Sequence, residues 1–205
     1  MAIASAPTRS SSLERVEGLG VVLRRPQPHH YDAWAELRAV SRPHLEPWEP
    51  TWAPDELSPA AYRRRLRRYG REFRQDLSAP FFIFRAEDDQ LVGACNLNTI
   101  RRGVLQACSI GYWVGAPYQR QGYGLAAVRA AVRCAFETLD LHRVEAACIP
   151  TNRASRSLLE KAGFTYEGVA RAYLKINGAW RDHVIYALLS SDPAWSAAGD
   201  GERAL

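Results

Sequence analysis

Apolar residues recur along this chain in two rhythms, and the switches between them lay out its elements. "GLGVVLRRP" (18–26) is a short apolar run closed by Pro26, which predicts a strand. In "HHYDAWAELRAV" (29–40), Tyr31, Trp34 and Leu37 fall three apart, the spacing of one helix face. "SRPHLEPWEPTWAPDE" (41–56) carries four prolines and two tryptophans and reads as a rigid aromatic loop. A second helix is predicted over 57–77, where Tyr62, Leu66, Tyr69, Phe73 and Leu77 share a face. Seven arginines (63, 64, 65, 67, 68, 71 and 74) cover the rest of it.

Three strands follow, "PFFIFRAE", "LVGACNLNTI" and "VLQACSIGYWVG", separated by turn residues at Asp88-Asp89 and Arg102-Gly103. Short turns imply an antiparallel meander. Then come a glycine-led helix, "YQRQGYGLAAVRAAVRCAFETL" (118–139), a strand "HRVEAACIP" and a helix "NRASRSLLEKA". Asn177-Gly178, a type I′ signal, joins "TYEGVARAYLKI" to "AWRDHVIYALL" as a hairpin. The predicted order is β-α-α-β-β-β-α-β-α-β-β. This is an α+β fold: a mixed, mostly antiparallel sheet flanked by helices, with parallel pairing at the helical crossovers. Residues 18–189 form a single domain in this reading. Residues 1–17, Ser-rich and aperiodic, and 190–205 are expected to be tails.

The 205 residues are 47% hydrophobic and 24% charged, a globular balance. No apolar run approaches the ~20 residues that span a bilayer, and the start lacks a signal-like apolar core. Cytoplasmic residence, with no membrane partner, is the expectation. Cys95, Cys108, Cys134 and Cys148 form no C-x-x-C pair, so no metal is expected and buried thiols are. Of 27 basic residues only Lys161 and Lys175 are lysines, and the net charge is +5. A basic surface favours anionic partners, so helix 60–77 is a candidate contact for ribosomal RNA.

The chemistry concentrates at Gln119, Arg120, Gln121, Gly122, Tyr123, Gly124 and Leu125. A helix start leaves backbone N–H groups without partners and carries partial positive charge, which suits an anion. Glycine at 122 and 124 admits a close phosphate, and Arg120 adds charge. Gly122, Gly124 and Ala127 also satisfy the dinucleotide fingerprint, with Glu145 about 20 residues on. That reading fails because the fingerprint needs glycines directly after a strand opening a βαβ unit. Here residues including Pro117 intervene and the upstream chain is a meander.

"GYWVGAPYQRQGYG" resembles motif A of the GNAT acetyltransferases, a [QR]-x-x-G-x-[GA] loop after a strand, which in that family holds the pyrophosphate of coenzyme A. "NRASRSLLEKAGF" resembles the next family motif, an Asn-x-x-Ser helix ending in Gly-Phe. The order of elements matches the GNAT acyltransferase fold. "PHLEPWEP" and "INGAWRDHVIYAL" resemble the RimJ branch, ribosomal-protein-alanine N-acetyltransferases; the likeness covers roughly residues 17–190.

The resemblance implies acetyl transfer from acetyl-CoA to a primary amine, foremost the N-terminal α-amine of a ribosomal protein starting with Ala or Ser. It places the CoA clamp at residues 119–125 and the pantetheine arm beside Tyr112, Trp113 and Val114. Asn152 faces that arm, a backbone N–H near Val114 polarises the thioester, and Ser155 protonates the thiolate. The glutamate that some relatives use as base is replaced by Ala147; Glu49 is the leading substitute, with Asp182 and His183 behind it. Two rivals stand. One is a small-amine acetyltransferase (polyamine, aminoglycoside or amino acid), favoured by acidic Glu46, Glu49, Asp55 and Glu56 in the proline-rich loop. The other is an RNA-binding module without catalysis.

Overall fold

The computed structural model describes residues 13–193 and 195. Its strands are β1 (Arg15–Gly18), β2 (Val21–Arg24), β3 (Ala79–Arg85), β4 (Leu91–Arg101), β5 (Ala107–Val114), β6 (Arg143–Cys148), β7 (Thr165–Ile176) and β8 (Ala179–Leu189). The helices are α1 (Tyr31–Leu45), α2 (Pro59–Arg74), α3 (Tyr123–Arg133) and α4 (Arg153–Lys161). The strands form one sheet in the order β1-β2-β3-β4-β5-β6-β8-β7. Every neighbouring pair is antiparallel except β5 and β6.

Each face of the sheet buries a separate core. On one, β3, β4, β6 and β8 residues such as Phe81, Ile83, Val144 and Leu188 pack against Ala127, Val128 and Ala131 of α3 and Leu159 of α4. On the other, Phe82, Phe84 and Ala94 meet Trp34 and Leu37 of α1 and Tyr62 of α2. Tyr112 and Trp113 divide accordingly, Tyr112 against the first cluster and Trp113 against the second. This is the period-2 alternation of a strand buried on both faces.

Three expectations change. Residues 15–17, placed in a tail, form β1 together with Gly18, paired in register with β2 from Arg15–Arg24 to Gly18–Val21. Four residues with two charges carry no periodic signal; the strand exists because β2 offers an edge. Residues 1–12 lie outside the described residues. At the other end, Ser190 N–H donates to His142 O at 2.9 Å and Trp195 packs edge-on against Phe136 at 5.1 Å. The chain is therefore tied down past residue 189; residues 194 and 196–205 lie outside the description. Finally, α1 runs through Pro43 to Leu45, into the stretch read as loop. Leu37, Ser41 and Leu45 continue one buried stripe, and their burial outweighs the hydrogen bond that a proline in the last turn forgoes. Asn177 and Gly178 both take positive φ (44° and 79°), as the type I′ turn requires.

Candidate active site

The β5–β6 ladder begins at Ala107–Arg143 and stops at Ser109–Glu145. Both strands continue, held only on their far sides: β5 pairs β4 to Val114–Gly93, and β6 pairs β8 to Cys148–Val184. A wedge therefore opens in the middle of the sheet. Gly115 N–H donates to Val92 O at 2.8 Å, so Val114 and Gly93 form a non-hydrogen-bonded pair. The N–H of Val114 accordingly points away from β4 and into the wedge.

Helix α3 starts at the wide end of this wedge. Its N-cap is Gly122, at φ 87°, and no side chain caps the first turn. The first intrahelical bond is Ala126 N–H to Gly122 O, 3.0 Å, which leaves Tyr123, Gly124 and Leu125 N–H as the open donors of the start. A side chain at Gly122 would meet nothing within 4 Å, so the loop's outer side is open. Gly124 has another reason to be glycine: a Cβ there would lie 2.9 Å from Leu158 Cδ1, so a side chain would push the leucine of α4 aside. Arg120, exposed, holds φ at 60°, uncommon and costly for a non-glycine residue. Gln121 Nε2 donates to Pro117 O at 3.1 Å and braces the loop, whose entry, Gln119, is extended. The cradle of open N–H groups, beside the Arg120 charge, fits a pyrophosphate.

Helix α4 starts differently. Asn152 is its N-cap, and Asn152 Oδ1 accepts Ser155 N–H at 3.0 Å. Both amide hydrogens of Asn152 remain available to a ligand. Ser155 Oγ lies 2.9 Å from Tyr112 Oη, reaching from β5. Burial pushes the Tyr112 phenol upward, and the bond to Ser155 acts the other way. No tyrosine on α4 supplies this hydroxyl. One on β5, placed by its alternation, does.

Glu49 is an anchor, a half-buried carboxylate paired with the buried Arg38. Its carboxylate accepts Arg38 Nη1 and Nη2, both at 2.7 Å, and Trp52 Nε1 at 2.8 Å. The Arg38 guanidinium stacks over Trp52 at 4.1 Å and faces Trp113 at 5.1 Å. Glu49 O also accepts Asn177 N–H at 2.9 Å, tying the loop to the β7–β8 turn. Both Glu49 oxygens are engaged by Arg38 and one also by Trp52, so the residue expected as base is built into the support of the loop. Asp182 Oδ1 accepts Ala172 N–H at 2.8 Å and pins a bulge. His183 is buried, with Nδ1 donating to Arg181 O at 3.0 Å and Tyr173 edge-on at 5.7 Å. Sequence reading missed Arg38. Its signal was its place four residues after Trp34, on the face that packs against the sheet.

The other acids of this loop are also matched by arginines: Glu46 by Arg42 at 3.1 Å, Asp55 by Arg64 at 2.5 Å, and Glu56 by Arg65. The four cysteines are buried thiols, and among the described residues no group of His, Cys, Asp and Glu is placed to hold a metal. Among them, too, no helix is long and apolar enough to cross a membrane.

Residues 21–165 match the family model described as an acetyltransferase (GNAT) domain. The chain is 36% identical over 166 residues to the [ribosomal protein uS5]-alanine N-acetyltransferase of Escherichia coli K12, covering 80% of this chain and 86% of that one. It is 40% identical over 156 residues to the probable N-acetyltransferase YjcK of Bacillus subtilis 168, covering 76% and 86%. Among solved structures, RimJ of Mycobacterium smegmatis in complex with CoA-disulfide superposes with a TM-score of 0.83 at 29% identity, over 92% of this chain and 93% of that one. A split sheet, an uncapped glycine helix start at its mouth and these matches lead to one conclusion: the chain belongs to the GNAT family and is an N-acetyltransferase.

Proposed function

We propose that this protein transfers acetyl from acetyl-CoA to the N-terminal α-amine of a ribosomal protein that begins with Ala or Ser, in the cytoplasm. The observation that carries this over the small-amine rival is the neutralised loop. A polyamine needs free carboxylates, yet Glu46, Glu49, Asp55 and Glu56 each face an arginine. The likeness to an enzyme named for ribosomal protein uS5 alanine supports the same acceptor.

In this reading the N–H groups of Arg120 through Leu125 and the Arg120 side chain hold the CoA pyrophosphate. The pantetheine arm lies along Tyr112, Trp113 and Val114, within reach of the Asn152 amide. The amine attacks the thioester carbon from the Trp113 side of the sheet. Val114 N–H, fixed in the strand, meets the developing oxyanion without reorganisation. Ser155 supplies the proton for the departing thiolate. The attacking amine gives its proton to water. An α-amine of pKa ~8 is roughly a tenth neutral at pH 7, whereas lysine at ~10.4 is neutral in less than one part in a thousand. An α-amine therefore asks little of a base, and Glu49 serves by holding the loop over the amine site. Glu49→Ala strands the buried Arg38 charge and should cost about 3 kcal/mol of stability, read by denaturant unfolding.

A second contact is part of the proposal. Arg63, Arg67, Arg71 and Arg74 are exposed, lie on one stripe of α2 and make no ion pair among the described residues. They suit the phosphates of ribosomal RNA beside the acceptor protein. The deciding experiment is a competition: acetyl-CoA, peptides copying ribosomal-protein N-termini, and spermidine, with the acetyl group located by mass spectrometry. Acetyl on an Ala or Ser α-amine supports the proposal. Acetyl on spermidine alone overturns it in favour of the small-amine rival, and acetyl on neither overturns the acceptor assignment.

A further inference from the structure

Tyr112 and Ser155 are 43 residues apart and meet at the point where β5 leaves β6. Ser155 is held twice. Its backbone N–H is fixed by Asn152 Oδ1 at 3.0 Å, and its Oγ lies 2.9 Å from Tyr112 Oη. The other acceptor near the phenol is Ser155 O, at 3.4 Å, so the phenol hydrogen has Oγ as its nearer target. Burial raises the phenol's pKa, which keeps it protonated through the physiological range. An Oγ that accepts from Tyr112 has its own hydrogen left to point elsewhere. Sulfur is already one neighbour: burial pushes the Cys148 thiol upward, and the nearby Ser155 draws it back.

We propose that Tyr112 is a positioning residue for Ser155, donating to Oγ and so turning the serine hydrogen toward the departing sulfur. This rests on Ser155 as the proton donor. In the step, the amine nitrogen bonds to the acetyl carbon and the C–S bond breaks with its electron pair on sulfur. Sulfur takes the Ser155 hydrogen. The amine's surplus proton passes to water, and water returns one to Ser155. Tyr112 neither gains nor loses a proton.

A packing role for the ring is separable from this, because phenylalanine packs equally well. The test is a double-mutant cycle with Tyr112→Phe, Ser155→Ala and the pair, measuring kcat, KM for an N-terminal peptide, and acetyl-CoA affinity by calorimetry. Ser155→Ala should lower kcat about tenfold, at the low end of acid catalysis by a weak donor. Tyr112→Phe should lower kcat about fivefold, the worth of one hydrogen bond, with acetyl-CoA affinity within twofold of the parent. In the Ser155→Ala background it should have no further effect. An unchanged kcat in Tyr112→Phe beside a slow Ser155→Ala overturns the positioning role and leaves Ser155 standing. Multiplicative losses in the pair overturn it too, since Tyr112 would then act independently. An unchanged Ser155→Ala removes the proton donor, and the inference falls with it.

Discussion

Helices α3 and α4 start at the same end of the sheet, each after one of the two parallel strands, and they finish their first turns in opposite ways. Helix α4 is sealed by its own chain: Asn152 accepts Ser155 N–H. Helix α3 begins at Gly122, which has no side chain to offer, and its first N–H groups stay open beside Arg120. A helix start costs the same unpaired donors wherever it occurs. The difference is therefore informative: the chain satisfies the start that carries Ser155 and leaves the donors of the other without a side-chain partner. A third start, the turn Pro28–His30 ahead of α1, is sealed by an imidazole, with His30 Nδ1 accepting Gln27 N–H at 3.1 Å.

Reversing the charge at the open start should have the largest effect. Gly122→Asp places a carboxylate at the pyrophosphate site, in a backbone conformation that Asp tolerates better than most residues. Acetyl-CoA affinity should fall about a hundredfold, with the melting temperature little changed; undiminished binding would take the clamp away from α3. Arg120→Ala should weaken acetyl-CoA about tenfold and reduce the salt dependence of binding, both read by titration at two ionic strengths.

The sealed starts should respond in stability instead. Asn152→Ala removes a cap and should cost about 1 kcal/mol, lowering Tm by about 3 °C, while acetyl-CoA affinity changes less than threefold. Equal losses in affinity would mean Asn152 works chiefly as a ligand. At the third start, burial and then the neighbouring His29 lower the His30 pKa from 6.5 to about 4. The folded state thus prefers the neutral ring, and the unfolded chain binds more protons between those values. The stabilisation is complete above pH 6.5 and is lost as pH falls toward 4, by about 1 kcal/mol once solvent access is allowed for. His30→Asn keeps an acceptor for Gln27 N–H without titrating, so its stability should fall less than the parent's across that window.

Much of this was legible before the fold was known, and the part that was shares a feature. The arginine face of α2, the Asn177-Gly178 turn, the uncapped glycines and the Asn152 cap all depend on residues within about four positions of one another. So do the two strand faces that separate Tyr112 from Trp113. The parts that were not legible join distant positions. Helix α1 crosses Pro43 because Ser41 and Leu45 are buried by distant chain, Ser41 Oγ accepting Ala116 N–H at 2.8 Å. Arg38 is 5% exposed because Glu49, Trp52 and Trp113 close around it. Glu49 looked free in a loop and is held from two sides.

The sequence alone therefore determined most of the elements and their order from β2 onward, the glycine-led helix start and, through resemblance, the family. Local periodicity and capping are short-range physics, written in neighbouring side chains. Tertiary structure alone decided where β5 parts from β6, that Val114 N–H points into the gap, and that a tyrosine from β5 reaches a serine on α4. Those outcomes depend on which strand edges remain paired and how two helices pack, and no stretch of a few residues contains that information.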